Sequence, residues 1–362
     1  MRRVALALLA LLVLAGCAAP AASSGDGRAG TPDRVPLSEV EPLVDPAAHE
    51  GPSTAVLADR AIEPVAEAPD QTLPVTVTSY DRSGPRDVTI TDTDRVLALD
   101  LSGSLAATVW GLGLDGLLVG RDGATTFAGS EDLPVVTNDG HSLNAESILR
   151  ARPTLVVTDG SVGPRDVVQQ LRDAGVQVVF LERESSFEGA SRLARDMGQV
   201  LGVPAEGQAL AERIEQQVAD VGTDVERLAP DDEDDRLRMV FLYLRGSAGV
   251  YYLLGEDSGA DDLIRTLGGV DVAGELGWRD VQPLTDEAVV AADPDLVLVM
   301  TSGLESVGGI EQLLQDKPVL ALTSAGKNRR FVDMADGDVL SFGPRSADVL
   351  DALARAVYAP DR

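Results

Sequence analysis

Apolar and polar positions alternate with two different periods along most of the chain. Residues 74–92 alternate apolar and polar side chains on both sides of a Ser-Gly-Pro turn, which predicts a β-hairpin. Beyond it, short apolar runs predict strands at 95–100, 117–120, 154–158 and 176–181, and amphipathic runs predict helices at 105–114, 145–151 and 165–174. Strands and helices in alternation indicate a parallel sheet with crossover helices.

A long helical stretch follows at residues 187–230. Leu210, Ile214 and Val218 recur on one helical face, and residues 206–228 would span roughly 35 Å as a single helix. The α/β alternation then resumes over residues 236–359. The pattern therefore predicts an α/β fold of two Rossmann-like lobes, at 74–186 and 236–359, joined by one long linker helix at 187–230.

An internal repeat supports the two-lobed organisation. The segment ESILRARPTLVV begins at Glu146, and EAVVAADPDLVL begins at Glu287. Each copy predicts a short helix that starts at the glutamate, stops before a proline and leads into an apolar strand. Chance similarity remains an alternative to duplication, and the helix dipole alone would favour both carboxylates.

The amino terminus predicts export and lipidation. Arg2 and Arg3 precede an apolar run at residues 4–15, and Leu-Ala-Gly stands directly before Cys17. This pattern is typical of a secretory signal peptide over residues 1–16 that is cleaved before a lipidated cysteine. A buried or incidental thiol is the alternative for Cys17, which is the only cysteine. Residues 17–73, rich in Ala, Pro, Gly and Ser, are predicted to be a flexible tether that includes His49 as a solvated residue.

The charge balance narrows the partners. The chain has 30 basic and 59 acidic residues and a net charge of −29, which becomes about −31 once the two arginines of the signal are removed. So acidic a surface argues against nucleic acid and anionic membrane as partners. We therefore expect a soluble domain that meets the membrane only through its lipid.

Catalytic signatures are missing from the sequence. The chain contains no G-x-S-x-G elbow, no P-loop and no H-x-x-H pair, and no dinucleotide fingerprint follows a predicted strand. We therefore expect a binding protein and not an enzyme. His141, in the loop NDGHSLNAE before the Glu146 helix, is a candidate ligand, with a surface or capping role as its alternative.

A second candidate lies in the segment MVFLYLRG, at the end of a predicted buried strand. Tyr243 and Arg245 are two residues apart, so both side chains point the same way from an extended chain. An arginine beside a tyrosine hydroxyl favours the phenolate, and a phenolate oxygen is a known proximal ligand of haem iron. A core tyrosine whose hydroxyl is satisfied by the arginine is the alternative.

The ordered region, about residues 74–358, resembles the bilobed substrate-binding proteins of ABC transporters for haem, iron–siderophores and cobalamin. Within that group it is similar to the haemin-binding lipoproteins of actinobacterial haem importers. The matching segments are NDGHSLNAESIL, VFLYLRG, PLTDEAVVAADPDLVLVMTSGLESVGG and FGPRSADVL. The resemblance implies the class III substrate-binding fold, with two lobes and a single linker helix.

The resemblance also implies roles for individual residues. In the family, a histidine from the first lobe and a tyrosine from the second ligate the iron of haem b from opposite faces, and these roles fall on His141 and Tyr243. The neighbouring arginine, Arg245, would hydrogen-bond the tyrosine. Met300 matches a methionine of the pocket, and Trp278 lies near a position that often carries another aromatic residue.

Partners follow from the same resemblance. The family's conserved glutamates contact arginines of the permease, and they correspond to Glu146 and Glu287. We expect a monomer, anchored through Cys17 to the outer face of the cytoplasmic membrane, that delivers ferric haem to an ABC permease and its ATPase. Arg121 and Arg345 are candidates for holding the haem propionates.

Two other functions stay open at this point. The same scaffold could carry a ferric siderophore or cobalamin in place of haem. An exported adhesin or signalling lipoprotein without a ligand is the more distant alternative.

Overall fold

The structure is a computed structural model that describes residues 34–81, 84–138 and 142–360. The predicted signal peptide, the lipidation site Cys17 and the candidate ligand His141 lie outside these ranges. Along the described part of the chain, no helix combines the length and the apolar character needed to cross a bilayer.

The described residues form fourteen strands and thirteen α-helices. The strands are β1 Ser53–Ala55, β2 Val75–Asp81, β3 Gly84–Ile90, β4 Val96–Leu99, β5 Thr137–Asn138, β6 Ser142–Leu143, β7 Leu155–Thr158, β8 Gln177–Phe180, β9 Arg238–Arg245, β10 Val250–Leu254, β11 Val270–Asp271, β12 Val281–Pro283, β13 Leu296–Met300 and β14 Phe331–Met334. The helices are α1 Ser104–Gly111, α2 Ala145–Ala151, α3 Arg165–Asp173, α4 Phe187–Val200, α5 Pro204–Leu228, α6 Ala260–Thr266, α7 Val272–Glu275, α8 Asp286–Ala292, α9 Thr301–Ser306, α10 Gly309–Asp316, α11 Ser324–Asn328, α12 Asp336–Val339 and α13 Ser346–Tyr358.

The N-terminal lobe is built on a parallel sheet in the order β4-β7-β8, as the alternating pattern predicts. The predicted hairpin is also present, because β2 pairs antiparallel with β3. The predicted strand at 117–120 is wrong. Residues 115–117 form a 3-10 turn, and Leu118 makes only an isolated bridge to Val96, so the apolar run is too short to extend the sheet.

The C-terminal lobe contains a larger sheet in the order β1-β14-β13-β9-β10-β12, with β11 also paired to β9. Strands β1, β14, β13 and β9 are parallel, whereas β10 and β12 run antiparallel to their neighbours. Alternate side chains of β9 enter two different cores: Met239 and Phe241 enter one, and Val240, Leu242 and Leu244 enter the other. The end of β9 is therefore fixed from both faces.

The predicted linker region consists of two helices. Helix α4 packs in the N-terminal lobe, and α5 begins at Pro204 after a turn at Gly202, whose φ of 69° suits a glycine. Leu210 near the start of α5 is buried in the core of the N-terminal lobe, and Leu228 at its end is buried in the core of the C-terminal lobe. Helix α5 is thus the long helix that links the lobes.

Residues 34–73 differ from the predicted flexible tether. Leu37 and Val40 are buried in the core of the C-terminal lobe, β1 pairs with β14, and Ile62 is buried in the core of the N-terminal lobe. The segment therefore crosses from one lobe to the other as a strap, a name we use below for residues 53–62. Its buried apolar residues follow neither a helical nor a strand period, which is why composition alone suggests a tether.

The internal repeat has a structural counterpart. Helices α2 and α8 each contain seven residues, and the side chains of their N-cap residues, Asn144 and Thr285, accept a backbone N–H. Both helices end at a residue with positive φ, Arg152 and Asp293, before a proline and a parallel strand. Each lobe therefore presents the same helix in the same local setting.

Candidate ligand-binding cleft

A cleft of about 1380 Å³ lies between the lobes. Its walls include Asp100 and Asp159, which follow β4 and β7 in the N-terminal lobe. From the C-terminal lobe they include Tyr243, near the end of β9, and Met300, the last residue of β13. Ligands of open α/β sheets bind at this carboxyl end of the strands. The volume exceeds the range of about 300–1,000 Å³ typical of small-molecule pockets, so the cleft can admit a large planar ligand.

Tyr243 and Arg245 both face the cleft, as their spacing predicts. Leu244, between them, is buried in the core on the other face of the sheet. The alternation of an extended strand thus puts Tyr243 and Arg245 on the cleft side and Leu244 on the opposite side. Tyr243 is half-buried and packs against the core of the C-terminal lobe. Tyr252 of β10 stands directly opposite Tyr243 in the sheet and also lines the cleft.

Arg245 covers the face of the Tyr243 ring. Its guanidinium carbon lies 4.5 Å from the ring centroid, within the range of a cation–π contact. Nη1 donates to the carbonyl of Leu244 at 2.7 Å, and Nη2 donates to Asp336 Oδ1 at 3.1 Å, with Met300 Sδ 3.9 Å from the same nitrogen. These contacts of Arg245 do not include the Tyr243 hydroxyl, so the arginine stacks on the ring where the resemblance implies a hydrogen bond.

Met300 and Trp278 have different positions. Met300 ends β13, lines the cleft and packs beside the same core as Tyr243. Trp278 packs against the core on the other face of the sheet and is not among the residues that line the cleft. The structure thus brings Met300, but not Trp278, to Tyr243.

Neither arginine proposed for the propionates faces the cleft. Arg345 is buried and pairs with Asp338 at 2.7 Å, and the Arg121 guanidinium donates to the carbonyl of Thr125 at 2.9 Å. Both side chains hold loops in place, so the prediction for them is wrong in this conformation. Besides Arg245, the arginines that line the cleft are Arg60, Arg183 and Arg265.

Arg60 is a cleft residue that sequence reasoning missed. It belongs to the strap, which composition assigns to the tether. Its Nη2 donates to Thr126 Oγ1 of the N-terminal lobe at 3.1 Å and lies 3.7 Å from Asp338 Oδ2 of the C-terminal lobe. Only the tertiary path of the strap brings this residue to the cleft.

The described residues on either side of His141 adjoin the cleft. Asn138 and Ser142 pair antiparallel as the ends of β5 and β6. Thr137 Oγ1 accepts the backbone N–H of Gly123 at 3.1 Å, and Gly123 lines the cleft. On the other side, Ser142 bridges to Gly163, two residues beyond the cleft residue Ser161.

The carboxyl groups of Asp100 and Asp122 are neighbours and are buried in the N-terminal lobe, where Asp100 lines the cleft. Burial and the adjacent charge of Asp122 raise the pKa of Asp100 to about 7. Burial also raises the pKa of Asp122 above its ordinary value. Asp100 accepts backbone N–H groups from Ser104 and Leu105, and Asp122 accepts the backbone N–H of Asp100 at 3.0 Å, which ties the pair to the loop after β4.

Glu146 and Glu287 lie away from the cleft lining. Each is exposed in the first turn of its helix, α2 or α8. Glu146 forms an ion pair with Arg150 at 2.5 Å, one helical turn along. The two carboxylates therefore occupy equivalent, accessible positions on the two lobes.

Two α/β lobes, one linker helix and a cleft at the strand ends define a substrate-binding protein of the class III fold. The family model of periplasmic binding proteins matches residues 100–336. The chain belongs to this family.

Comparisons with individual proteins agree with the family. The solved structure of the heme binding protein HmuT is 41% identical, covers 87% of this chain and 99% of that chain, and has a TM-score of 0.81. The periplasmic heme-binding protein RhuT from Roseiflexus sp. RS-1, solved in its apo form, is 33% identical, covers 75% and 100% of the two chains, and has a TM-score of 0.67. The uncharacterised ABC transporter substrate-binding lipoprotein YvrC of Bacillus subtilis (strain 168) is 24% identical over 295 residues, which are 80% of this chain and 87% of that protein.

Three variants of HmuT are also similar to this chain. In them an arginine, a tyrosine or a histidine is replaced by alanine, and they are 39 to 40% identical to this chain. The replaced tyrosine and arginine are two residues apart in HmuT. Tyr243 and Arg245 have the same spacing.

Proposed function

We propose that this protein binds haem in the interlobe cleft and delivers it to an ABC-type importer. The single observation that carries the proposal is Tyr243 at the cleft with Arg245 stacked on its ring, in a chain 41% identical to the heme binding protein HmuT. A tyrosine is a known proximal ligand of haem iron, and the guanidinium of Arg245 stacked on its ring holds the side chain at the cleft wall.

His141 is proposed as the second axial ligand, from the N-terminal lobe. Its neighbours in sequence support this role, because Thr137 and Ser142 contact the loops that carry Gly123 and Ser161 in the cleft wall. An imidazole from one lobe and a phenolate from the other would hold the iron between them. Met300 would then pack against the porphyrin on the tyrosine side.

The propionates are proposed to face the cleft arginines Arg60, Arg183 and Arg265. Each has a side chain about half exposed and is held by at least one nearby carboxylate. A propionate reaching them would share an existing ion pair, so we expect each arginine to add modestly to affinity. Acidic residues outnumber arginines in the cleft lining, which favours an orientation that turns the propionates toward these three residues.

Lipid attachment at Cys17 and docking through Glu146 and Glu287 complete the proposal. The lipoprotein YvrC, a relative along 80% of this chain, supports an anchored protein outside the cytoplasmic membrane. Exposed carboxylates at equivalent places on two lobes suit a permease with two basic surfaces. Delivery would then occur while the lipid holds the protein at the membrane.

Titration with haemin tests the proposal directly. We expect the purified protein, without its signal peptide, to develop a Soret band that saturates at a defined ratio. Tyr243→Phe and His141→Ala should each shift that band and weaken binding. Tyr251→Phe is the matched control, because Tyr251 lies one residue before Tyr252 on β10 but packs on the opposite core under Lys317.

A protein that takes up no haemin would contradict the proposal. If a ferric siderophore or cobalamin then stabilised it against thermal unfolding, the same scaffold would serve a different cargo. If neither Tyr243→Phe nor His141→Ala changes haemin binding, haem remains the ligand but these two residues do not coordinate its iron.

A further inference from the structure

The carboxylate of Asp336 joins the ends of three neighbouring strands at the cleft. It stands at the start of α12, just after β14, while Arg245 ends β9 and Ser302 lies in the first turn of α9 after β13. Nη2 of Arg245 donates to Asp336 Oδ1, and both the backbone N–H and the hydroxyl of Ser302 donate to Oδ2, at 3.0 and 2.7 Å. Resting on the function proposed above, we propose that Asp336 is a positioning residue that holds the Arg245 guanidinium over the Tyr243 ring.

Each oxygen of the carboxylate has a different task. Two donors from Ser302 fix Oδ2, so the orientation of the group is set by the first turn of α9. That leaves Oδ1 directed at Arg245, to which it offers a charge-assisted hydrogen bond. An aspartate oriented by two donors of Ser302 can therefore hold a long, flexible arginine in one position.

The remaining contacts of Arg245 do not fix it as firmly. Nη1 donates to the carbonyl of its own neighbour, Leu244, and the thioether of Met300 is a weak acceptor at 3.9 Å. Eight acidic residues besides Asp336 line the cleft and would compete for a released guanidinium. Without Asp336 the arginine would thus have both the freedom and the partners to leave the ring.

Asp336 also balances the positive charge of Arg245. An unpaired guanidinium over the Tyr243 ring would oppose the approach of ferric iron, because like charges repel. The Asp336 carboxylate accepts from Nη2 and offsets this charge while the guanidinium stays stacked on the ring. The pair therefore presents the tyrosine with an oriented group of low net charge.

The test combines Asp336→Asn with Arg245→Ala in a double-mutant cycle on the signal-free protein. If Asp336 acts through Arg245, Asp336→Asn should weaken haemin binding on the order of tenfold and by no more than Arg245→Ala does. The variant should also move the Soret band in the same direction as Arg245→Ala, and it should have no further effect in the Arg245→Ala background. Asp316→Asn, an exposed carboxylate at the end of α10, controls for loss of charge and should match the wild type.

Two outcomes would overturn the proposal. One is an unchanged affinity and Soret band in Asp336→Asn; the other is an equal loss of affinity with and without Arg245. A crystal structure of ligand-free Asp336→Asn tests the proposal without haemin. The Arg245 guanidinium should leave the Tyr243 ring in this variant. A guanidinium that stays on the ring would contradict the proposal. Failure of wild-type protein to bind haemin would instead count against the proposed function, because the crystal structure still decides the role of Asp336.

Discussion

The guanidinium carbon of Arg245 lies 4.5 Å from the centre of the Tyr243 ring, so the arginine covers the face of the tyrosine at the wall of the cleft. The pair is two residues apart on one strand, and Leu244 between them is buried on the other side of the sheet. Two positions of one strand therefore place a tyrosine and an arginine in contact at the cleft.

Replacing Arg245 tests the value of this stacking. Arg245→Ala removes a contact worth about 0.5–2 kcal/mol, so haemin affinity should fall roughly twofold to thirtyfold in a Soret titration. Arg245→Lys keeps the charge but loses the planar fork, and we expect an affinity between the two. A lysine variant equal to the wild type would mean that charge alone matters.

We expect the proposed docking through Glu146 and Glu287 to be separable from ligand binding. The double variant Glu146→Lys/Glu287→Lys should bind haemin as the wild type does, because both residues lie outside the cleft lining. With the permease and ATPase in proteoliposomes, its stimulation of ATP hydrolysis should fall at least tenfold, since like charges would face each other. Glu226→Lys, on the exposed side of α5, should retain stimulation. Normal stimulation by the double variant would refute this docking mode.

The sequence predicts the elements with strong local patterns. The repeat locates α2 and α8, each of which starts one residue before the predicted glutamate. The alternation along β9 places Tyr243 and Arg245 on one side. Family resemblance supports the class III fold and points to the same tyrosine and arginine.

What escapes prediction depends on tertiary contacts. Leu37 and Ile62 are isolated apolar residues in a polar stretch, and β1 is a strand of three residues whose partner, β14, comes nearly 280 residues later. Arg345 stands in a segment that matches the family, yet its side chain forms a buried ion pair with Asp338. Asp336 meets Arg245 across 91 positions of sequence, and no periodic pattern marks such a pair.

Replacing Gly113 tests how residues 66–68 are attached to the N-terminal lobe. Its φ is 80°, and a Cβ there would lie 1.9 Å from the carbonyl oxygen of Ala66, in a segment whose Ala68 N–H bonds back to Gly113. Gly113→Ala should lower the free energy of unfolding by more than about 2 kcal/mol, because strain and collision add. In Gly116→Ala the new Cβ meets no atom within 4 Å, so urea unfolding should change by less than about 1 kcal/mol. Equal effects of the two variants would mean that the segment does not need this close approach.

Arg330 connects strand β1 to the last helix, α13. It is 1% exposed and donates to Ser53 Oγ and to the carbonyls of Ala356 and Val357. Arg330→Met should cost about 2–4 kcal/mol in urea unfolding, since buried carbonyls lose their donors. The neighbouring Arg329→Gln breaks only an exposed ion pair with Glu311 and should cost less than about 1 kcal/mol. A tolerated Arg330→Met would indicate that water replaces the guanidinium.

Asp100 should make stability depend on pH in a defined window. Burial and the charge of Asp122 raise the pKa of Asp100 to about 7 in the folded protein, whereas in the unfolded chain it is about 4. Between these values the folded state holds a proton that the unfolded state has released. The free energy of unfolding contributed by this group is therefore constant below about pH 4, falls as the pH rises to about 7, and is constant above that.

Urea unfolding at pH 5 and pH 7 measures the slope, which should be roughly 1 kcal/mol per pH unit steeper in the wild type than in Asp100→Asn. The variant will be less stable overall, because its amide has one oxygen to replace two that accept backbone N–H groups from Ser104 and Leu105. The slope, not the absolute stability, is thus the quantity that reports the buried proton. Asp94→Asn, at an exposed position of the same lobe, should keep the wild-type slope. Parallel profiles for wild type and Asp100→Asn would show that Asp100 is already ionised at pH 5 in the folded protein.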